Sequence, residues 1–180
     1  MFEDASRHAF VGALEAQWRT VRAEFDRLTA TEFMPWPEKM LYDAGWDVFG
    51  LHAFGRKLPG NCARCPETAR LVEAIPGMTT AGFSLLAPGA HIKPHRGYTQ
   101  TVLRCHLAIM VPGRCALRVG AETREWEEGR CLVFDDTLEH EAWNHSDGPR
   151  AVLLIDFLRE RERAPPEIPA SVRDAVERLS

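Results

Sequence analysis

The sequence predicts a mainly β protein, a jelly roll or related double-sheet barrel with helices flanking it on the N-terminal side. Two observations carry this. After Gly77 the helical period disappears, and about eight short strand-like runs follow, punctuated by Pro88-Gly89, Pro112-Gly113, Glu128-Gly129 and Asp147-Gly148. Before Gly77, apolar residues recur at spacings of three and four, the mark of amphipathic helices.

Taken in order, residues 4–28 predict one amphipathic helix. Phe10, Leu14, Trp18, Val21, Phe25 and Leu28 share a face, and Arg19, Arg22, Glu24 and Arg27 lie on the other. Asp4 or Ser6 stands where a cap belongs. Such a stripe is expected to pack on the outside of the chain's own sheet. Residues 29–39 read as irregular, with Pro35 and Pro37 around Trp36. From Trp46 to Gly55 the aromatic and β-branched pattern predicts a strand, in which His52 is a residue with a satisfied ring and no assigned role. Residues 57–66 predict a loop, and 66–75 a short helix with Pro66 in its first turn, ended by Pro76-Gly77. Strands are then expected at 81–87, 91–94, 101–111, 116–119, 122–126, 130–135, 141–144 and 151–158. The tail opens with mixed charge and Pro165-Pro166 and closes in a short amphipathic segment around Val172, Val176 and Leu179. The expected organisation is a single domain, with helical support over 1–40, a β core over about 46–158 and a tail over 159–180.

A chain of 180 residues with 45% apolar and 27% charged content can bury a sizeable core, as ordinary soluble domains do. The formal net charge of −4 argues against a nucleic-acid partner, which calls for a basic face. No apolar run approaches the roughly 20 residues of a membrane span, and the acidic first residues lack a signal-peptide pattern. A cytoplasmic protein without a membrane partner is therefore expected, its oligomeric state open. The five cysteines, an odd count with three inside strand-like runs, predict free thiols rather than a disulfide framework. Cys62-Ala-Arg-Cys65 has the spacing of half a zinc site, but no second pair completes it.

Chemistry concentrates in three pieces of the β region. His95 follows Pro94 at the mouth of a strand, and His140 ends Asp135-Asp136-Thr137-Leu138-Glu139-His140, again where a strand meets a turn. Imidazoles from neighbouring barrel strands can converge on one interior point and suit iron, zinc, copper or nickel. Arg104 and His106 alternate with Leu103, Cys105 and Leu107, so the two point to one face, opposite Leu107 and Ile109. A guanidinium inside a barrel is costly unless an anion meets it. Arg150 opens the apolar run from Ala151 to Phe157 and is suited to bind a carboxylate through paired hydrogen bonds. On local grounds alone a surface ion pair with Asp147 or Asp156 is an equal alternative.

Five motifs in order resemble the aspartyl/asparaginyl β-hydroxylase family of iron(II)- and 2-oxoglutarate-dependent dioxygenases. They are the run from Phe83 to Thr99, Leu103-Arg104-Cys105-His106-Leu107, Val119-Gly120-Ala121-Glu122, Trp126-Glu127-Glu128-Gly129, and Phe134 to Asn144. The resemblance covers roughly residues 40–158. It implies a double-stranded β-helix, cupin-like in build, with Fe(II) as cofactor and 2-oxoglutarate and O2 as co-substrates. It makes His95 and His140 the metal ligands and assigns the distal carboxylate of 2-oxoglutarate to Arg150 with Ser84. Arg104 and His106 come to lie at the co-substrate end, Arg104 among the catalytic residues. The carboxylate of the commoner facial triad is replaced here by Gly97, as the family implies. Asp136 is a candidate to reach the metal through water or to orient His140, with a turn-forming carboxylate as the alternative.

The implied reaction is hydroxylation of an unactivated C–H bond, with succinate and carbon dioxide as co-products. Gln100 and Val102 stand where the animal peptidyl hydroxylases carry an asparagine and a basic residue, which leaves a small metabolite, a free amino acid or a peptide open as substrate. Two other readings compete. One is a halogenase, with chloride at the place freed by Gly97; the other is a cupin-like metal- or carboxylate-binding module without turnover.

Overall fold

The computed structural model describes residues 1–159 and 165–178. The chain opens with a short strand, β1 (Phe2–Glu3), a turn of 3-10 helix, and two helices, α1 (Ala9–Ala16) and α2 (Trp18–Phe25). Strand β2 (Met34–Pro35) and strand β3 (Trp46–Ala53) follow, then β4 (Arg56–Lys57) and two helices, α3 (Pro59–Arg64) and α4 (Pro66–Glu73). The β region runs from β5 (Met78–Leu86) through β6 (His91–His95), β7 (Val102–Met110) and β8 (Cys115–Val119). It continues with β9 (Glu122–Glu125), β10 (Cys131–Phe134), β11 (His140–Asn144) and β12 (Arg150–Leu158). A last helix, α5 (Arg173–Arg178), ends the described chain. None of the described helices is long and apolar enough to cross a membrane.

All pairings are antiparallel and fall into two sheets. The larger has the order β1-β10-β7-β12-β5-β3-β2, with β4 on β3, and the smaller the order β6-β11-β8-β9. This is the jelly-roll type of β-helix, and all eight strands expected after Gly77 are present. Period-two alternation divides the large sheet into two faces. Leu103, Cys105, Leu107 and Ile109 of β7, with Leu153 and Ile155 of β12 and Phe49 and Phe83, meet the helices in one apolar core. Leu86, Ala108, Phe134 and Val152 turn inward and pack on Ile92, Leu117, Val119 and Ala142 of the small sheet. The inner face also carries Arg104, His106 and Arg150, as the alternation around Leu107 predicts.

The single helix expected over 4–28 is instead two, because Gln17 leaves helical geometry (φ −109°, ψ 12°). The break lets Val11 and Leu14 on one segment, and Val21 and Phe25 on the other, each lie against a twisted sheet. Asp4 caps the preceding 3-10 turn through Ser6 rather than the helix itself. The irregular stretch 29–39 holds 3-10 turns and β2. The loop expected over 57–66 contains α3, where Pro59 starts the helix with a fixed φ and no N–H to satisfy. In the tail Val172, Ala175 and Val176 are buried as the amphipathic segment predicts, while Leu179 lies outside the described residues.

Glu24 was expected on the solvent face of its helix and is buried instead. Its carboxylate accepts from Glu67 N at 3.0 Å, Thr68 N at 2.8 Å and Thr68 Oγ1 at 2.7 Å. The first amides of α4 have no partner within that helix, and an anion there also meets the positive end of its dipole. Glu24 thus fastens α2 to α4 on the outer face of the sheet. Glu24→Ala is expected to cost about 2–4 kcal/mol of stability, from a lost cap and charged hydrogen bonds. Urea unfolding checks this; a loss under about 0.5 kcal/mol refutes the capping role.

Candidate metal centre

His95 ends β6 and His140 begins β11, and the two are partnered in register across the small sheet. Their rings lie 4.2 Å apart between centroids. Each ring is held by a backbone carbonyl: His95 Nδ1 donates to Lys93 O at 2.8 Å and His140 Nδ1 to Leu138 O at 2.9 Å. A carbonyl oxygen only accepts, so the proton sits on Nδ1 and the Nε2 lone pair of each ring is free. Burial lowers the pKa of both rings, that of His140 to about 3 with His95 and Arg104 adding to the effect. Both are therefore neutral at physiological pH, the state in which imidazole binds a metal.

A recess of about 350 Å3, counting its mouth, continues inward from the two rings and is lined by Trp46, Ser84, His106 and Arg150 among others. Arg150 is 1% exposed and has no carboxylate partner among the described residues. Its guanidinium lies 4.7 Å over the Trp126 ring, Nη1 reaches Ser84 O at 3.5 Å, and Nε has no partner. Burial pulls its pKa down to about 10, so it keeps its charge at neutral pH. The surface ion pair with Asp147 or Asp156 weighed for Arg150 is thereby overturned, since the side chain points into the barrel and Asp156 is engaged elsewhere. His106 lies between the Trp126 and Phe134 rings with both nitrogens buried and unpartnered. Burial first, then the charges of Arg104 and Arg150, hold it well below the usual imidazole range. Ser84 Oγ accepts from Trp46 Nε1 at 3.0 Å. The recess therefore offers one unmatched cation and several unused hydrogen-bonding atoms, a set that fits a small carboxylate.

Arg104 stands beside this recess in a different state. Nε donates to Asp156 Oδ1 at 2.7 Å and Nη2 to Asp156 Oδ2 at 2.9 Å, with Asp136 Oδ2 at 3.4 Å. Burial opposes the charge, but the two carboxylates outweigh it and raise its pKa. The anion required opposite Arg104 is thus supplied by the chain itself, through a residue directly across from it in the β7–β12 register.

Asp136 is 2% exposed and its Oδ1 has no partner; burial raises its pKa to about 6 against the pull of Arg104. Gly97 N donates to Asp136 O at 2.8 Å, and a Cβ built on Gly97 overlaps the Asp136 carboxylate. The room beside His95 that a residue-97 side chain would take is filled from Asp136.

The other candidates lie elsewhere. All five cysteines are buried free thiols. His52, Cys62 and Glu73 bring one donor atom each within 4.8 Å of one another. There Glu73 is already held by Lys57 at 2.7 Å and Cys62 Sγ donates to Leu51 O at 3.3 Å, so those donors are engaged. Trp46 was read only as the start of a strand and Trp126 only as part of a motif, without a place in the centre, and Asp156 was weighed only against Arg150. An aspartate inside the apolar run 151–157 implies a buried cation facing it.

Comparison with known proteins adds to this geometry. The family model described as aspartyl/asparaginyl beta-hydroxylase matches residues 15–160. An ornithine lipid ester-linked acyl 2-hydroxylase of Rhizobium tropici is 37% identical over 167 residues, covering 87% of this chain and 59% of that protein. The human aspartyl/asparaginyl beta-hydroxylase is 34% identical over 156 residues, covering 81% of this chain and 20% of its own length. The chain thus spans between a fifth and three fifths of the relatives it matches. A Pseudomonas putida prolyl-4-hydroxylase structure superposes with a TM-score of 0.52 at 18% identity, over 81% of this chain and 88% of that one, a likeness of fold.

Removing Arg104 leaves two buried carboxylates without their cation. Arg104→Leu and Asp156→Leu are each expected to lose about 3–5 kcal/mol of stability, and the double variant combining them much less than the sum. A double-mutant cycle by chemical denaturation measures the difference; additive losses contradict the pairing.

Proposed function

Because the chain belongs to the aspartyl/asparaginyl β-hydroxylase family, we propose that it is a non-haem iron(II)- and 2-oxoglutarate-dependent dioxygenase that hydroxylates an unactivated C–H bond. The observation that carries this reading is the pairing of two neutral, Nε2-free histidines with a buried arginine that lacks a counter-ion. His95 and His140 would hold the metal through Nε2. Arg150 would meet the distal carboxylate of 2-oxoglutarate, and His106 and Ser84 would donate to or accept from the same molecule. Iron and the co-substrate would supply oxidative chemistry that divides dioxygen between two products, one atom entering the C–H bond as hydroxyl and the other entering succinate, with loss of carbon dioxide.

The chain's own contribution is orientation, charge and dryness. The Lys93 and Leu138 carbonyls fix the two rings and their tautomer. The Trp126 face stabilises Arg150 while the site waits for an anion, because an aromatic quadrupole attracts a cation without neutralising it. Arg104, already paired, forms a rigid wall next to the metal position rather than a second anion receptor. Asp136, whose Oδ1 has no partner, would be free to accept a hydrogen bond from a water held at the centre. A halogenase is disfavoured on the same geometry: chloride beside Gly97 would share its place with the Asp136 carboxylate. The relatives' names mention aspartyl or asparaginyl residues and an ester-linked acyl chain as acceptors, so both stand as substrate classes for this chain.

Two outcomes are expected. His95→Ala and His140→Ala each abolish iron-dependent succinate formation while the barrel stays folded, since neither ligand has a substitute; full turnover by either variant removes that residue from the centre. Arg150→Ala weakens 2-oxoglutarate binding by about 30-fold or more, the loss of a desolvated charge-assisted contact of roughly 2–5 kcal/mol, and leaves metal binding intact. Arg150→Lys recovers only part, lacking the planar fork. The test is an anaerobic titration of 2-oxoglutarate into the iron-loaded protein, followed by its charge-transfer absorption. An unchanged dissociation constant would falsify the assignment.

A further inference from the structure

Cys62-Ala63-Arg64-Cys65 has the spacing of half a zinc site, and the fold brings Cys62 partners that lie elsewhere in the chain. Strands β3 and β4 form a hairpin in which His52 and Lys57 stand opposite each other. A bulge between Gly50 and His52 interrupts the β3–β5 register, the kind of irregularity that re-aims a side chain. Pro59 then starts α3, which is held to β3 by Leu58 N on Leu51 O at 2.9 Å and Asn61 Nδ2 on Gly50 O at 2.7 Å. Cys62 thus comes to lie beside Leu51, and α4 ends at Glu73. His52, Cys62 and Glu73 each place one donor atom within 4.8 Å of the others, while Cys65 stays outside the set.

Three properties of this set suit a metal. Its donors are imidazole, cysteine sulfur and carboxylate, the three ligand types of zinc. Its geometry fits, because two ligands each about 2.0–2.1 Å from a tetrahedral ion stand about 3.3 Å apart. His52 Nε2 lies 3.3 Å from Glu73 Oε1. Its charge fits as well, since one thiolate, one carboxylate and a neutral imidazole balance a divalent cation. Burial lowers the pKa of His52 against the pull of Glu73, so the ring is neutral at physiological pH. That ring is 7% exposed, and its Nδ1 is buried without a partner.

The contacts that engage Glu73 and Cys62 are exchangeable. Lys57 Nζ, on a half-exposed side chain, lies 2.7 Å from the same Glu73 oxygen that faces His52, so a cation already occupies that oxygen and can withdraw to solvent. Burial pushes the Cys62 thiol up, so it keeps its proton at neutral pH, and it spends that proton only on Leu51 O at 3.3 Å. A thiol is a weak donor, so little is lost when the proton leaves.

We propose that His52, Cys62 and Glu73 form a second metal site, sharing no residue with the histidine pair, that takes a divalent ion of the zinc class with its fourth position left to water. Binding replaces the Cys62 S–H bond by a sulfur–metal bond and releases that proton to solvent, with no change of oxidation state. Lys57 gives up Glu73, and the incoming dication takes over its role as counter-charge. The ligands come from β3, α3 and α4, so the ion clamps both helices to the sheet. The site stands or falls independently of the dioxygenase reading.

The test is a titration of cobalt(II) into the chelator-treated full chain, followed by displacement with zinc(II). A thiolate-to-cobalt charge-transfer band is expected to saturate at one ion per chain and to disappear as zinc is added. The histidine pair contains no sulfur and gives no such band. Cys62→Ser is expected to abolish it. Glu73→Gln is expected to weaken binding by about tenfold or more, since even the outer partners of metal ligands are worth that much. Lys57→Met removes the competing ammonium and is expected to tighten binding. Absence of the band in the wild-type protein, or its survival in Cys62→Ser, overturns the proposal. An affinity unmoved by both Glu73→Gln and Lys57→Met also overturns it, and those two variants alter partly exposed side chains, so they decide the matter even where Cys62→Ser fails to fold.

Discussion

Arg104 and Asp156 face each other across β7 and β12, and the barrel interior is organised by the contrast between that pair and the unmatched Arg150. Two guanidiniums inside one apolar shell are an expensive arrangement, since each charge has left water. One is neutralised within the protein and becomes structure. The other is steadied only by an aromatic face and one distant carbonyl, which leaves its attraction for an anion unspent. That difference separates scaffold from binding site, although both residues are arginines on the same sheet face.

The histidines obey the same logic. Burial near cations keeps His95, His106 and His140 from protonating, so the interior gains lone pairs without gaining charge. Backbone carbonyls two residues upstream turn the two rings of the centre, so their orientation depends on strand geometry and not on further side chains. His106 lacks such a carbonyl and is positioned by ring packing alone, leaving both of its nitrogens available to a ligand.

Much of this was legible in the sequence because it follows from period two. The alternation through Leu103, Arg104, Cys105 and His106 separates the apolar core from the polar interior, and the Pro-Gly and Gly punctuation marks the strands. What escaped was tertiary. No local signal says that Glu24 turns inward to cap α4 or that the helix breaks at Gln17, and Pro59, which can open a helix or punctuate a loop, was read as a loop residue. Asp156 was visible as an oddity but was weighed against Arg150; its partner is set by strand order, because β7 and not the start of β12 lies opposite it.

The contact between Gly97 and Asp136 has a consequence for how such centres can change. One carboxylate-sized volume lies beside the histidine pair, and it can be filled from residue 97 on the β6 side or from residue 136 ahead of β11, but not from both. A single replacement at 97 crowds the space, and a single replacement at 136 empties it. Moving the acid from one loop to the other therefore demands two coordinated substitutions, with an impaired intermediate on either route. The two positions are mutually epistatic, and the present arrangement is a local optimum isolated from its mirror alternative by the volume of one side chain.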